Sequence, residues 1–460
     1  MKKASALLLL AVVTCPLGAR AQSTVRPDAD PRVEALVASV SEERLAKIVE
    51  TLAGFRTRNT LSDTTSPTRG IGAARQWIFN ELSASSPKLQ VSFETFHLAQ
   101  QGRITRPVEL RNVIAVLPGR SPRRIYITAH YDTVNIGSGG QIGANTRAPG
   151  TTTPPDVQLR ADQDYNVDAP GANDNGSGSA LTIELARVFA ASGLDFDATI
   201  VFALWAGEEQ GLVGSRAHAA ALVKNKTPVD ADFNNDIVGN SRGGNGVVDA
   251  ESVRLYSEGP EDSLSRSLAR YTARVAALYV PSHHVRLLAR PDRFSRGSDH
   301  SGFTQHGFPA VAFRESNENF SKQHEATDTV DGVDFRYLAQ NTRVNAAGVA
   351  SLALAPAAPV VVAGERALAT IGRQPSGYDA NLRWTRAAGA VAYRIYWRTA
   401  WTNDWEHTQL VGDVTQFVLA GVSIDDFVFG VATVGPDGHE SLVSAYVVAV
   451  RRDPEVKLLP

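Results

Sequence analysis

Six short stretches of this chain bring imidazole, carboxylate and glycine together. His130-Tyr131-Asp132 ends the apolar run Arg124 to Ala129, RIYITA. Asp174 lies within GANDNGSG, Gly171 to Gly178, and Glu208 stands beside Glu209 in FALWAGEEQGLVGS, Phe202 to Ser215. Asp236 follows in FNNDIVGN, then Ser298-Asp299-His300, then His324 in HEATDT. Taken singly, each has a plain explanation. A strand-end His or Asp is a solvated loop residue, Asp174 sits near a helix start, and a glutamate pair is a charged first turn. Taken jointly they are a donor set. Imidazole and carboxylate without thiolate suit zinc in a hydrolytic site. One His and one carboxylate per ion, with a further carboxylate shared, builds a two-metal centre. Two adjacent glutamates repel, and a cation on one of them removes the conflict. Asp132, two residues after His130, is placed to orient the imidazole nitrogen that does not bind metal, and Asp328 is placed to do the same for His324.

The elements that must hold these residues follow from periodicity. Val33 to Phe55 has helical spacing with Ser41 as an N-cap, and a second helix covers Ile71 to Leu82. Strands are expected at Leu89 to Phe96, Asn112 to Leu117, Arg124 to Ala129, Thr199 to Trp205, around Ile237-Val238 and at Pro309 to Phe313. Helices are expected at Gly178 to Ala191, Leu212 to Val223, Leu264 to Leu278 and Phe335 to Leu354. Apolar strands alternating with helices predict an α/β fold, a largely parallel mixed sheet with helices on both faces. Ligands then bind outside the carboxyl ends of the strands, where several of the stretches above fall. After Leu354 the pattern changes. Ala355 to Pro359 (APAAP) is a linker, and 360–453 has short strands between turns, a C-terminal all-β unit.

Composition bounds the rest. The 460 residues suffice for two domains, and a net charge of −2 gives no basic surface for nucleic acid or anionic membrane. Residues 1–21 have the form of a secretory signal: Lys2 and Lys3, an apolar Ala6 to Val13, and Ala19-Arg20-Ala21 before the cleavage point. No run approaches the ~20 residues that cross a bilayer. Lipidation at Cys15 is disfavoured by Thr14 before it. Cleavage after Ala21 removes the one Cys and the one Met, leaving a mature domain of 22–354 plus the C-terminal unit with no sulfur to oxidise and no disulfide to form. Such a chain suits a secreted or periplasmic life.

HxD, GANDNGSG, WAGEEQGLVGS, DIVG, SDHxxF and HxxxDT occur in order over roughly residues 110 to 350. This series resembles the secreted bacterial di-zinc aminopeptidases of the leucyl type, in a superfamily with glutamate carboxypeptidase and glutaminyl cyclase. The resemblance implies two Zn²⁺ ions. His130 and Asp236 resemble the terminal ligands of one, Glu209 and His324 those of the other, Asp174 the bridge, and Glu208 the general base. It also implies a cis peptide at Asp174-Asn175. The expected substrates are peptide or protein N-termini. A carboxypeptidase or a glutaminyl cyclase fits the same residues, the former given a basic pocket such as Arg290, Arg293, Arg296 and Arg314. A receptor-like relative without metals is disfavoured by the intact donor set.

The C-terminal unit resembles a fibronectin type III domain in its strands and its GxES pattern (Gly438, Glu440, Ser441), although Phe427 stands where many members carry a tyrosine. Trp397, Trp401 and Trp405 crowd one part of it, and a face for polymer or cell surface is one reading, core and rim packing the other. The Gly- and Thr-rich stretch Asn135 to Asp168 is an insertion that either shapes the substrate mouth or is a surface loop. Asp299 and His300 are expected near the pocket, or as a helix cap and a surface residue.

Overall fold

The computed structural model describes residues 29–136, 164–361 and 371–446. The signal segment 1–21, most of the 135–168 insertion and the end of the C-terminal unit lie outside the described residues. Two helices open the described chain, α1 (Pro31–Ala38) and α2 (Glu42–Gly54). Ser41 caps α2 by accepting a hydrogen bond from the Arg44 amide, as its hydroxyl and the glutamates after it predict. Then follow α3 (Gly70–Ser85), β1 (Gln90–Leu98), β2 (Val108–Leu117), β3 (Ser121–His130), α4 (Gly176–Ala191), β4 (Ala198–Trp205), α5 (Val213–Lys224) and β5 (Val229–Asn235). β6 (Ser252–Ser257), α6 (Leu264–Tyr279), β7 (His284–Leu288), α7 (His300–Thr304), β8 (Ala310–Glu315) and α8 (Phe335–Leu354) complete the unit.

These strands form one eight-stranded sheet in the order β1-β2-β4-β3-β5-β8-β6-β7. The middle four, β4, β3, β5 and β8, are mutually parallel, and β1, β2 and β6 run against their inner neighbours. The register places His130 beside Trp205 and Thr128 beside Asn234, so β3, β4 and β5 finish at the same end of the sheet. Both faces are covered. Ile125, Ile127, Phe202 and Phe233 pack into the core shared with α2, α4 and α8, and Tyr126, Val201 and Trp205 pack against Leu222 of α5 and Phe303 of α7. Burial on both sides is why β3 and β4 read as near-continuous apolar runs.

One strand differs from its expected place. Ile237 and Val238 lie beyond β5, and Ile237 has a left-handed φ of 57°. The strand is the polar VDADFNN before them. Its inward polar groups are paired in part: the Thr128 hydroxyl lies 2.8 Å from Asp232 Oδ1 and 3.1 Å from Asn234 Oδ1, and Asn235 donates to Asn345, while Asp232 Oδ2 and Asn235 Oδ1 are buried without a hydrogen-bond partner among the described residues. A hydrophobic period cannot reveal a strand whose buried side is polar.

After α8, β9 (Ala380–Arg383), β10 (Ala392–Thr399), β11 (His407–Val411), β12 (Gln416–Leu419), β13 (Phe427–Val434) and β14 (Ser444–Ala445) make two sheets, β11-β10-β13-β14 and β12-β9. Their own core holds Trp384, Tyr393, Ile395, Phe429 and Val431. The unit is joined to the first by ion pairs and a hydrogen bond: Arg398 pairs with Asp262 at 2.6 Å and Arg274 with Glu440 at 3.0 Å, and His439 Nε2 lies 2.9 Å from the carboxylate of Asp30, the cap of α1. Trp397 stacks on His407 and Trp405 packs against Tyr396, whereas Trp401 is 77% exposed. The three tryptophans do not form one shared face, so their crowding gives no support for a polymer-binding surface. No helix of the described residues is long and apolar enough to cross a membrane.

Candidate metal centre

His130 is the last residue of β3. Its Nε2 lies 3.5 Å from Asp174 Oδ1 and 3.4 Å from Asp236 Oδ1. His324 comes from the loop after β8, and its Nε2 lies 3.1 Å from Asp174 Oδ2 and 3.4 Å from Glu209 Oε2. The two oxygens of Asp174 therefore face two different imidazoles. Donor atoms of His130, Asp174 and Glu209 lie within 4.8 Å of one another, as do those of His130, Glu208 and Asp236. The structure thus brings together all six residues singled out as ligands or base, from segments far apart in sequence.

Local backbone explains how each arrives. Asp174 is presented just before α4, whose N-cap Asn175 accepts from the Gly178 amide, and the Asp174-Asn175 peptide is cis. Beyond β4 the chain turns at Gly207 with φ +76°, where a Cβ would stand 2.6 Å from Leu110 Cδ1. Only glycine fits that turn, which swings Glu208 and Glu209 back over the strand ends. Glu209 is buried and Glu208 is partly open. The main-chain carbonyl of Glu209 accepts from Arg103 at 2.7 Å, a contact from the β1–β2 connection with no signature in the sequence.

The two carboxylates placed to orient the imidazoles make hydrogen bonds to main-chain amides instead. The ring Nδ1 of His130 sits 3.1 Å from the main-chain carbonyl of Asp132, and the Asp132 carboxylate is farther away, at 3.7 Å. That carboxylate instead accepts from the amides of Glu208 and Glu209, each at 3.2 Å, and from the Thr60 hydroxyl at 3.2 Å. Asp132 therefore fixes the turn that carries the glutamate pair. Asp328 likewise accepts from the amides of Asn173 (3.0 Å) and Asp174 (2.8 Å), bracing the shared aspartate. Asn173 extends this brace: its side chain donates to Glu315 at 2.8 Å and accepts from the Gly239 amide at 2.9 Å. It was visible within GANDN as one of three consecutive polar residues, but its partners were not. Asp299 and His300 are both buried, so neither is a surface residue, and Asp299 makes no side-chain cap to α7. His300 Nε2 faces the Pro291 carbonyl at 2.8 Å, and burial lowers its pKa to about 4.

The donor set fits cations. Glu209 Oε1 and Asp236 Oδ1 are buried without a hydrogen-bond partner among the described residues. A buried carboxylate oxygen left without a partner is costly unless a positive charge meets it. The protonation behaviour carries the same message. Burial pushes Glu208 up to about 8, His130 opposing and Asp236 and Asp299 adding to the rise. Burial likewise raises Glu209 well above the usual carboxylate range. Burial works against a charged His324, yet Glu209 and Asp174 lift it to about 10. The site is a concentration of negative charge that pulls in protons and would hold metal in their place.

Residues 112–349 match the model of peptidase family M28. A protein of Pyricularia oryzae named "Probable zinc metalloprotease" is 36% identical, over 90% of this chain and 84% of its own. A Leptosphaeria maculans protein of similar name is 34% identical, over 91% and 97%. Among solved structures, the Legionella pneumophila LapA aminopeptidase superposes with a TM-score of 0.52 at 19% identity, covering 73% of this chain and 78% of its own. The Porphyromonas gingivalis glutaminyl cyclase gives 0.51 at 17%, covering 67% and 98%. These last two share the fold. With the ligand geometry above and relatives this similar over nearly their whole length, the chain belongs to peptidase family M28, a zinc metallopeptidase.

Proposed function

We propose that the protein is an aminopeptidase, removing the N-terminal residue of peptides with two zinc ions and Glu208 as base. His130, Asp174 and Asp236 would hold one ion and Asp174, Glu209 and His324 the other. The observation that carries this reading is Asp174, whose two oxygens face the two imidazoles separately. Zinc in such a site polarises a carbonyl and acidifies water. The chain supplies the proton transfers. Glu208 stands partly open beside the buried donor set, takes a proton from the attacking water and delivers it to the leaving amine nitrogen. Asp132 keeps it there by holding its amide. The approach is from the His324 side, since that side chain is 29% exposed against 1% for His130.

The carboxypeptidase alternative needs a cation reserved for substrate. Arg293 and Arg296 are engaged by Glu318 and Arg314 by Asp236, which takes three of the four arginines away from a substrate carboxylate; Arg290, stacked over the Phe294 ring, is the one that has no carboxylate partner among the described residues. The signal-like residues 1–21 support export to the periplasm or beyond, which N-terminal sequencing of cell fractions tests. For the activity, aminoacyl-p-nitroanilides should be cleaved while N-acetylated analogues resist. Glu208→Gln should lose ~10²–10⁴-fold in kcat with metal content unchanged. Full activity in that variant removes Glu208 from the role of base, and cleavage from the C-terminal end removes the aminopeptidase reading.

A further inference from the structure

Arg58 lies in the segment after α2, outside every stretch that carries a donor atom, and is 0% exposed. Its guanidinium donates to four main-chain carbonyls: Nε to Tyr131 at 2.7 Å, Nη1 to Leu52 at 2.9 Å and to Pro170 at 2.6 Å, and Nη2 to Gly171 at 2.9 Å. Its own amide donates to the Thr133 hydroxyl at 2.9 Å, and that hydroxyl donates to the Ala169 carbonyl at 2.9 Å. Three segments meet on one side chain: the end of α2, the end of β3 next to His130, and the turn leading to Asp174.

The choice of partners is unusual. A buried guanidinium normally answers a carboxylate. Here, among the described residues, its hydrogen bonds go to carbonyls, and the charges of Asp328, Asp132, Asp174 and Glu209 act on it from a distance. Its planar fork offers five N–H groups in fixed directions. The fork can hold Tyr131 and Gly171 only at one separation. The socket is closed as well: at Gly171, with φ +52°, a Cβ would stand 2.2 Å from Thr133 Cγ2 and 3.1 Å from Arg58 Nη2. Tyr131 follows His130 directly and Gly171 precedes Asp174 by three residues, so the fork spans the gap between two donors that no covalent path keeps close.

We infer that Arg58 is a positioning residue of the metal centre, setting the spacing between His130 and Asp174 through the carbonyls that flank them. This rests on the two-ion reading of the site. It makes the His130 half of the centre more dependent on Arg58 than the Glu209–His324 half.

The test is stepwise Co²⁺ binding to the chelator-stripped full chain, followed by calorimetry and by the visible absorption of bound Co²⁺. His130→Ala and His324→Ala variants assign the two steps. In Arg58→Lys, which keeps the charge and loses the fork, the His130 step should weaken by ~10–100-fold, the range for residues that orient a ligand. The other step should move less than threefold. Equal weakening of both steps, or no weakening in a folded variant, overturns the inference while leaving the two-ion reading intact. Absence of two steps in the wild type overturns that reading and this inference with it. If the Lys variant does not fold, Arg58→Ala with added guanidinium or urea replaces it. Return of the His130 step with guanidinium but not with urea, its neutral counterpart in shape, supports the inference, and no return with either overturns it.

Discussion

His130 and His324 face the same aspartate from opposite sides, yet they are held very differently. His130 ends a central strand, its ring nitrogen faces the Asp132 carbonyl, its own carbonyl accepts from the Ser179 hydroxyl at 2.8 Å, and its neighbour Asp236 is clamped by the buried Arg314. His324 sits in a loop with a left-handed φ of 58°, and its carbonyl is held by the Ile136 amide at 2.9 Å. One half of the centre is part of the sheet. The other is assembled by segments that cross the strand ends. A sheet transmits position through many hydrogen bonds at once, whereas a loop relies on a few. The two halves should therefore bind with unequal strength, the sheet-borne half more tightly.

Four measurements break or sharpen that contrast. The largest effect is expected of Asp174→Ala, because Asp174 serves both halves. Metal analysis should find neither ion retained and assays no turnover above background. An ion still held at wild-type affinity would show that the halves are independent. Next, limited chelation of the wild type should remove one ion well before the other. The intermediate should resemble His324→Ala, not His130→Ala, in its Co²⁺ spectrum, and the reverse resemblance would invert the contrast. Asp132→Ala comes third. It frees the amides of Glu208 and Glu209 and should cost ~10–100-fold in kcat/KM, the range for supporting residues, with KM for short substrates little changed. The smallest effect concerns the polar seam under the deep half. Burial raises Asp232 to about 8, the Thr128 hydrogen bond opposing. Its folded pKa lies above the unfolded ~3.9, so its stabilising share is complete below pH ~4 and is lost as pH rises to about 8. Asp232→Asn should match the wild type in Tm near pH 4 and exceed it by roughly a few degrees at pH 8. Equal gains at both pH values would show that ionisation is not the cause.

The sequence revealed the donors and hid their supports, for one physical reason. A hydrolytic zinc site without thiolate draws on imidazole and carboxylate, so the candidate donors His130, Asp174, Glu209, Asp236 and His324 announce themselves by type and by the glycine-rich or strand-end stretches that carry several of them. Supports act through main-chain amides and carbonyls, which every residue possesses. Spacing suggested that Asp132 and Asp328 reach the nearby histidines. The amides of Glu208, Glu209, Asn173 and Asp174, brought close only by folding, were the better partners for a carboxylate. The same logic covers the fold. The apolar β3, β4 and α8 were legible, while β5, β6, β7 and β11 were not. β5 buries polar residues where an apolar stripe would be expected, and the short β7 is largely exposed and carries no buried stripe.

Asp30 caps the first helix and is gripped by His439, 409 positions later. The amide of Asp30 also donates to the Tyr279 hydroxyl, and Arg32 reaches Asp437. The first described helix and the β13–β14 connection thus meet at one seam, an arrangement of very high sequence separation that delays closure during folding. On a ribosome, the opening helix waits for almost the entire polypeptide before its final partner emerges.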